Sequence, residues 1–465
     1  MKNYNQGFIY FICVVAAFGG LLFGYDWVVI GGAKPFYEVY FGIVDSAADQ
    51  GLAMTMALIG CMIGATLCGS LADRIGRKKL LIVSSLIFLF SALATGAFNT
   101  FGAFLAARFL GGIGIGVASG LSPMYIAEVA PSYIRGRLVS LNQMTIVLGI
   151  LGAQITNWLI AEDIPGGVIA ADSWNAQMAW RWMFWAAAVP SVLFFILALF
   201  IPESPRWLAG LNRQESTRRA QDILERIGGK AYAEKELHAI ESANAEASES
   251  AGLSQLLSGK YNKILMLGII IAVFQQWCGT NVIFNYAQEI FQSAGYAVGD
   301  VLFNIVITGI ANVLFTVLAI FTVDRWGRRS LMLLGAGGLC GIYAVLGACY
   351  FFNVTGMGMI VLVVAAIACY AMTLGPCTWV LISELFPNRV RAIAVSLCTF
   401  MLWVGSSTLT YTFPFLNKSL GSYGTFWIYS GVCLCGFLFF LARLPETKGK
   451  SLEEISGVSG AEKEK

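Results

Sequence analysis

The sequence predicts an all-α membrane protein of twelve transmembrane helices in two six-helix repeats, joined by a helical linker expected on the cytoplasmic side. Three observations predict it. Hydrophobic residues make up 57% of the 465 and charged residues only 12%, at a mean hydropathy of +0.72, far from the balance of a soluble domain. Apolar runs of roughly 20 residues, the length needed to cross a bilayer, recur from Phe8 to Arg443. Three polar motifs of the first half return in the same order in the second. Because lipid offers backbone N–H and C=O groups no partners, each apolar run is expected to be a helix.

Taken in order, the spans fall at about 8–30, 52–72, 80–98, 103–127, 138–160 and 180–201, then at about 263–292, 300–322, 330–352, 358–383, 392–413 and 424–443. The first run is too long for a cleaved signal peptide and no small-residue cleavage site follows it, so it is expected to span. Of the 30 lysines and arginines, Arg108 lies within a span, and only Lys34, Arg181 and Lys418 fall in or beside the loops after odd-numbered spans. The rest lie on the other side, which the positive-inside rule makes cytoplasmic. Both termini are therefore expected inside an inner membrane.

The one long polar stretch, 203–262, carries helix-forming Ala, Glu, Arg and Leu between Arg213 and Ala247, and the only histidine, His238. It divides the chain into an N-terminal half (1–202), the linker (203–262), a C-terminal half (263–444) and a tail (445–465). The halves repeat each other. Asp73-Arg74-Ile75-Gly76-Arg77-Lys78 returns as Asp324-Arg325-Trp326-Gly327-Arg328-Arg329, and EVAPSYIRGR from Glu128 is matched by ELFPNRVR from Glu384. PESPRW at 202–207 is matched by PETKGK at 445–450.

Within spans an ionisable residue costs about 3 kcal/mol or more at mid-membrane and points to function. Asp26, after Phe23-Gly24-Tyr25 in the first span, and Arg108, opening the fourth, stand out. Facing each other they would neutralise mutually, and protonating Asp26 would release Arg108. A static buried pair that fixes helix packing is the plainer alternative. The seventh span carries Gln275, Gln276, Asn281, Asn285 and Tyr286. Uncharged amides suit a polyhydroxylated ligand, since each offers donors and an acceptor in fixed geometry; hydrogen bonding between helices is the alternative. Gly112, Gly116 and Gly120 in the fourth span lie four apart, a spacing for close helix approach in lipid and not a nucleotide fingerprint, which needs a preceding strand. Gly375-Pro376 predicts a discontinuous tenth span. All 11 cysteines fall in apolar runs without metal-type spacing, and no catalytic constellation is present, so no enzyme, metal site or cofactor is expected.

Seven motifs in register carry a family resemblance over nearly the whole chain: the two DR-x-G-R loops, RGR after the fourth span, PESPRWL after the sixth, FQQ with a downstream Asn in the seventh, GPCTW in the tenth and PETKG after the twelfth. They resemble the sugar porter family of the major facilitator superfamily, which includes bacterial xylose–proton symporters and animal glucose facilitators. The resemblance implies the major facilitator fold and a transporter importing a neutral monosaccharide with a proton by alternating access. It assigns sugar contact to Phe23, Gln143, Gln275, Gln276, Asn281, Asn312, Gly375, Trp379 and Trp403, and proton coupling to Asp26 and Arg108. It assigns a cytoplasmic latch to Asp73, Arg77, Glu128, Arg135, Glu203, Arg206, Asp324, Arg328, Glu384, Arg391 and Glu446.

Three positions depart from the xylose symporter pattern. Ile150 stands for a second glutamine, Leu402 replaces a glutamine before Trp403, and Asn285 replaces a tyrosine. Pentose and hexose both remain open, and Ile150 is what glucose facilitators carry. The chain is expected to work as a monomer in lipid, with a monosaccharide and a proton as partners and no nucleic acid. An uncoupled facilitator is the rival within transport, and a membrane sugar receptor the rival from another class.

Overall fold

The computed structural model describes residues 4–162, 164, 169–247, 256, 261–293, 298–386 and 388–445. Its regular structure is helical throughout these residues. The helices are α1 (Gln6–Phe41), α2 (Ala47–Ile75), α3 (Arg77–Ala97), α4 (Phe101–Val129), α5 (Arg135–Ile160), α6 (Trp180–Ala186, preceded by a π turn at Asn175–Ala179) and α7 (Ala188–Phe200). Then come α8 (Pro205–Gly210), α9 (Gln214–Gly228) and α10 (Lys230–Ala247), followed by α11 (Asn262–Trp277), α12 (Thr280–Asn285), α13 (Ala287–Ser293), α14 (Val298–Trp326), α15 (Arg328–Phe351), α16 (Met357–Met372), α17 (Leu374–Leu385) and α18 (Asn388–Arg443).

Eleven helical segments among the described residues are long and apolar enough to cross a membrane, and the last of them, Ile393–Arg443, has 51 residues. At 1.5 Å per residue that is more than twice the roughly 30 Å hydrocarbon core. It contains one non-helical residue, Gly421, at φ 67° and ψ 176°. Only glycine enters that region readily, so Gly421 divides α18 into two spans and brings the number of crossings to twelve.

Two helix breaks follow proline chemistry. A proline removes its own N–H and crowds the carbonyl four residues back. Pro190 meets Ala186, the last residue of α6, and Pro376 meets Met372, the last residue of α16. The discontinuity of the tenth span accordingly lies at Thr373 (φ −123°, ψ −85°), three residues before the proline. Two boundaries differ from the hydropathy reading. The first helix runs to Phe41, past the end of the apolar run at 30, because Lys34 and Glu38 are one turn apart and their charges compensate, 2.7 Å from each other. The seventh span is broken at Gly279, whose φ of +87° ends α11 before α12 begins.

The chain forms two compact units. The first comprises residues up to Asp26 with 60–150 and 184–250, and the second 27–59, 151–183 and everything from Ala251. In the first, α1 and α5 cross backbone to backbone. A methyl group on Gly24 would lie 1.9 Å from the Ile146 carbonyl oxygen, and one on Gly149 would lie 2.0 Å from that of Leu21. α9 buries Ala220, Leu224 and Ile227, one stripe at helical spacing. The second unit holds α11 to α18 together with the end of α1, the start of α2 and the end of α5.

Candidate functional site

In the first unit the deepest charged group is Arg108, 2% exposed, paired with Asp26, 6% exposed. Arg108 Nη1 donates to Asp26 Oδ1 at 2.7 Å and Nη2 donates to the main-chain oxygen of Asp26 at 3.2 Å. The guanidinium lies over the Phe184 ring, 5.2 Å from its centroid, and Phe104 packs edge-on against that ring. Small residues permit the approach: a methyl on Gly111 would be 2.3 Å from Ser91 Oγ and 3.7 Å from Asp26 Oδ2. Asp26 Oδ2 is buried with no hydrogen-bond partner. The pair thus has one hydrogen-bonded carboxylate oxygen and one without a hydrogen-bond partner. One acid faces one base, so their formal charges balance, the arrangement that makes buried charges tolerable.

The second unit holds a chain of amides. Asn281 Nδ2 donates to Gln276 Oε1, Gln276 Nε2 donates to Gln275 Oε1 at 2.6 Å, and Gln275 Nε2 donates to the Tyr370 hydroxyl at 2.9 Å. The break at Gly279 makes this possible, because it turns Asn281 back toward the end of α11 that carries both glutamines. Each amide keeps one donor hydrogen outside the chain, so the set can meet hydroxyls without charge. Asn285 and Asn312 are also buried. Trp379 is 42% exposed on α17, whereas Trp403 is buried with its ring 5.7 Å from that of Trp27. Gly375 lies on α17 beside the Tyr370 ring, which a methyl there would meet at 3.4 Å. Phe23 and Gln143, both half-buried, belong to the first unit.

The loop after α2 carries a dense ionic network. Arg77 donates through Nε to both Glu128 oxygens, at 3.2 and 3.0 Å, and its Nη1 lies 3.1 Å from Asp73. Glu203 Oε1 accepts from the main-chain N–H groups of Arg77 and Lys78, both at 2.9 Å, so its charge sits on the N-terminus of α3. Gly76 is what admits it: its φ of 94° and ψ of 159° suit glycine alone, and a methyl would meet the Glu203 carboxylate at 2.4 Å. The matching loop of the second unit repeats the plan. Gly327 has φ 84° and ψ 151°, and Arg328 Nη2 donates to Glu384 at 3.0 Å. Arg135 Nε donates to the carbonyl of Ala130 at 3.3 Å, and Arg391 Nε to that of Phe386 at 3.1 Å, five residues back in both. The sequence repeat is therefore also a repeat of backbone conformation and of capping.

Not every residue of the expected latch joins it. Arg135 reaches Glu236 of α10 at 3.9 Å, and Arg206 is exposed with no ion pair among the described residues. Glu446 and the side chain of Asp324 lie outside the described residues. One cluster had no forerunner in the sequence reading: Lys34 of α1 with Glu38 and with Glu289 of α13, all in the second unit. Its signal was present as Lys34 and Glu38 at helical i, i+4 spacing, but beyond the apolar run that ended the expected span.

A family model described as "Sugar (and other) transporter" matches residues 12–458. The chain belongs to the sugar transporter family. It is a multi-pass membrane transporter with the major facilitator fold, and not an enzyme. Among this family's members, the arabinose-proton symporter of Bacillus subtilis is 37% identical over 455 residues, spanning 98% of this chain and 96% of that protein. The D-xylose-proton symporter of Escherichia coli is 35% identical over 487 residues, again 98% and 96%. The inward-open structure of the E. coli xylose transporter superimposes with a TM-score of 0.84 at 34% identity, over 97% of this chain and 99% of that one.

Proposed function

We propose that the protein imports a neutral aldose, a pentose or a hexose, together with a proton, by alternating access of its six-helix halves, 1–202 and 263–444. The linker 203–262, the tail 445–465 and both termini then face the cytoplasm across the inner membrane, in accord with the distribution of Lys and Arg. The observation that carries the reading is the buried Asp26–Arg108 pair with its open Asp26 Oδ2. An ionised group at mid-span costs about 3 kcal/mol, and pairing makes that cost depend on the protonation state of one atom.

A proton taken up on Asp26 Oδ2 cancels the carboxylate charge and removes most of the Coulombic hold on Arg108. The guanidinium keeps its charge and its seat over Phe184, so it is free to turn toward another acceptor while remaining in the first unit. Proton uptake thereby favours one conformational state over the other by the difference in pairing energy, which is all that coupling requires. The relatives named for proton-linked arabinose and xylose transport support this assignment. Without that dependence on Asp26 the protein would be an uncoupled facilitator.

For the sugar, Gln275, Gln276 and Asn281 are proposed as the main contacts, exchanging part of their mutual hydrogen bonds for hydroxyls. Trp379 offers an apolar face to the C–H side of the ring, and Phe23, Gln143, Asn312, Gly375 and Trp403 are proposed to complete recognition. The networks around Arg77 and Arg328 are proposed to act as latches that hold the outward-open state and part when the inner side opens. Replacing Gln276 by Ala removes the central amide and leaves the Asn281 donor without its acceptor; sugar binding is expected to weaken by about 1–3 kcal/mol, roughly 5- to 150-fold in Kd, read by calorimetric titration.

The test is uptake into proteoliposomes with and without an inward proton gradient, offering xylose, arabinose, glucose and galactose separately, in the wild type and in Asp26→Asn. Accumulation of one aldose that Asp26→Asn abolishes while exchange persists is the expected result. Equilibration without accumulation in the wild type identifies a facilitator, and sugar binding without flux identifies a receptor.

A further inference from the structure

Within the second unit, α13 is tied to the far end of α1 by a cluster that differs in kind from the Asp26 pair. Lys34 is 4% exposed and Glu38 7% exposed. Lys34 Nζ donates to Glu289 Oε1 and lies 2.7 Å from Glu38 Oε1. The same ammonium stands 5.5 Å from the centroid of the Tyr286 ring. The backbone seat is close as well: a methyl on Gly31 would be 3.0 Å from the carbonyl oxygens of Phe284 and Asn285. One base therefore faces two acids in a largely buried place, and Glu289 Oε2 is a buried oxygen with no hydrogen-bond partner.

The other cation described beside this end of α1 is Arg181, which lies over the Tyr40 ring, 4.7 Å from its centroid. Among the described residues, the charged groups that act on Lys34 and on Glu38 are the other members of the cluster. The other titratable groups nearby are phenols: Tyr286 and Tyr37 on the α13 and α1 sides, and Tyr429 from α18. Two of these are committed, the Tyr286 hydroxyl to the Thr410 carbonyl at 2.8 Å and that of Tyr37 to Met54 Sδ at 3.4 Å. With both carboxylates ionised the three side chains together carry a net negative charge. Separation of α13 from α1 would let water solvate that charge, and a proton on one carboxylate would remove it.

We propose that Lys34, Glu38 and Glu289 form a second proton-binding cluster, distinct from Asp26 and Arg108, that seats α13 on α1 when one of its two carboxylates is protonated. The proton comes from the adjoining aqueous phase and rests on an oxygen of one of the two carboxylates; no other bond is made or broken. α13 follows directly on α12, which carries Asn281, so the seating also fixes the amides at one end of their hydrogen-bond chain. That this phase is the outer one, and that the amides hold sugar, rests on the function proposed above; the seating itself does not.

The experiment is hydrogen–deuterium exchange of the 287–293 segment in the full chain in lipid nanodiscs without sugar, between about pH 8 and about pH 5.5. Rates are corrected for intrinsic exchange, and Asp26→Asn is the background so that the first site is silent. One linked proton allows the seating constant to rise up to about tenfold per pH unit of acidification, so protection of 287–293 is expected to grow severalfold at low pH. Glu38→Gln leaves one acid for one base and is expected to hold high protection at every pH. Glu289→Gln loses the tie between the helices and is expected to lose both protection and pH dependence. Lys34→Arg keeps the charge and is expected to restore the parental profile, which guards against a variant that merely misfolds. Protection that ignores pH in the Asp26→Asn background, or that responds equally in Glu38→Gln, overturns the proposal. Sugar exchange measured on the same proteins separates the two readings: the expected protection pattern with no flux keeps the cluster and rejects the transport function.

Discussion

Two charged clusters sit eight residues apart on α1 and differ by one carboxylate. Asp26 and Arg108 match acid to base, 2.7 Å apart, and bind α1 to α4. Lys34, Glu38 and Glu289 set two acids against one base and bind α1 to α13. Charge balance decides what each can respond to. On the proposed reading a proton breaks the balanced pair, because it removes the charge that holds the arginine. A proton completes the unbalanced cluster, because it removes a charge that has no partner. The two proposals thus give one helix two elements that answer the same ion in opposite senses.

The sharpest way to break the comparison is to delete the base from each cluster. Arg108→Ala leaves Asp26 buried and unpaired, and is expected to destabilise the protein by about 3–5 kcal/mol, read as thermal unfolding in detergent. The double variant with Asp26→Asn is expected to regain most of that loss; equal stability of the single and double variants would remove the pairing argument. Lys34→Met leaves two carboxylates, but Glu289 keeps 24% side-chain exposure and water can reach it. The expected loss is smaller, about 1–3 kcal/mol, and it should shrink at low pH because protonation supplies what the lysine did.

The loop networks calibrate smaller effects. Gly76→Ala forces a side chain into a glycine-only conformation and against Glu203, and is expected to cost about 2–3 kcal/mol, with Gly327→Ala nearer 1–2 kcal/mol. Equal losses at the two glycines would mean that the Glu203 contact carries no weight. Arg135→Ala touches a part-exposed pair at 3.9 Å and is expected to change stability by less than about 1 kcal/mol.

Much of this was legible in the sequence, for physical reasons that differ by residue. Spans were legible because lipid demands long apolar helices, and the twelfth crossing was recognised even though α18 runs through Gly421. Asp26 and Arg108 were legible because charge is conspicuous inside an apolar run. Gly76 and Gly327 stood out as paired positions, although only the structure gives the shared positive φ that explains the pairing. The Lys34 cluster was hidden because hydropathy ends a helix where charges begin, whereas an i, i+4 ion pair lets the helix continue. The break at Gly279 was hidden because glycine is common in membrane helices, and only the structure shows its positive φ and the Tyr429 ring, which a methyl there would meet at 2.9 Å. Arg206 stands in a motif with Glu203 but is exposed, and it is the glutamate that caps α3.

The central claim is that Asp26 binds a proton that moves with the sugar. Its most direct test is the external pH of a lightly buffered suspension of de-energised proteoliposomes when an aldose is added. The account predicts transient alkalinisation outside, in step with sugar entry and absent in Asp26→Asn. Sugar entering at the same rate with no change of external pH would contradict it.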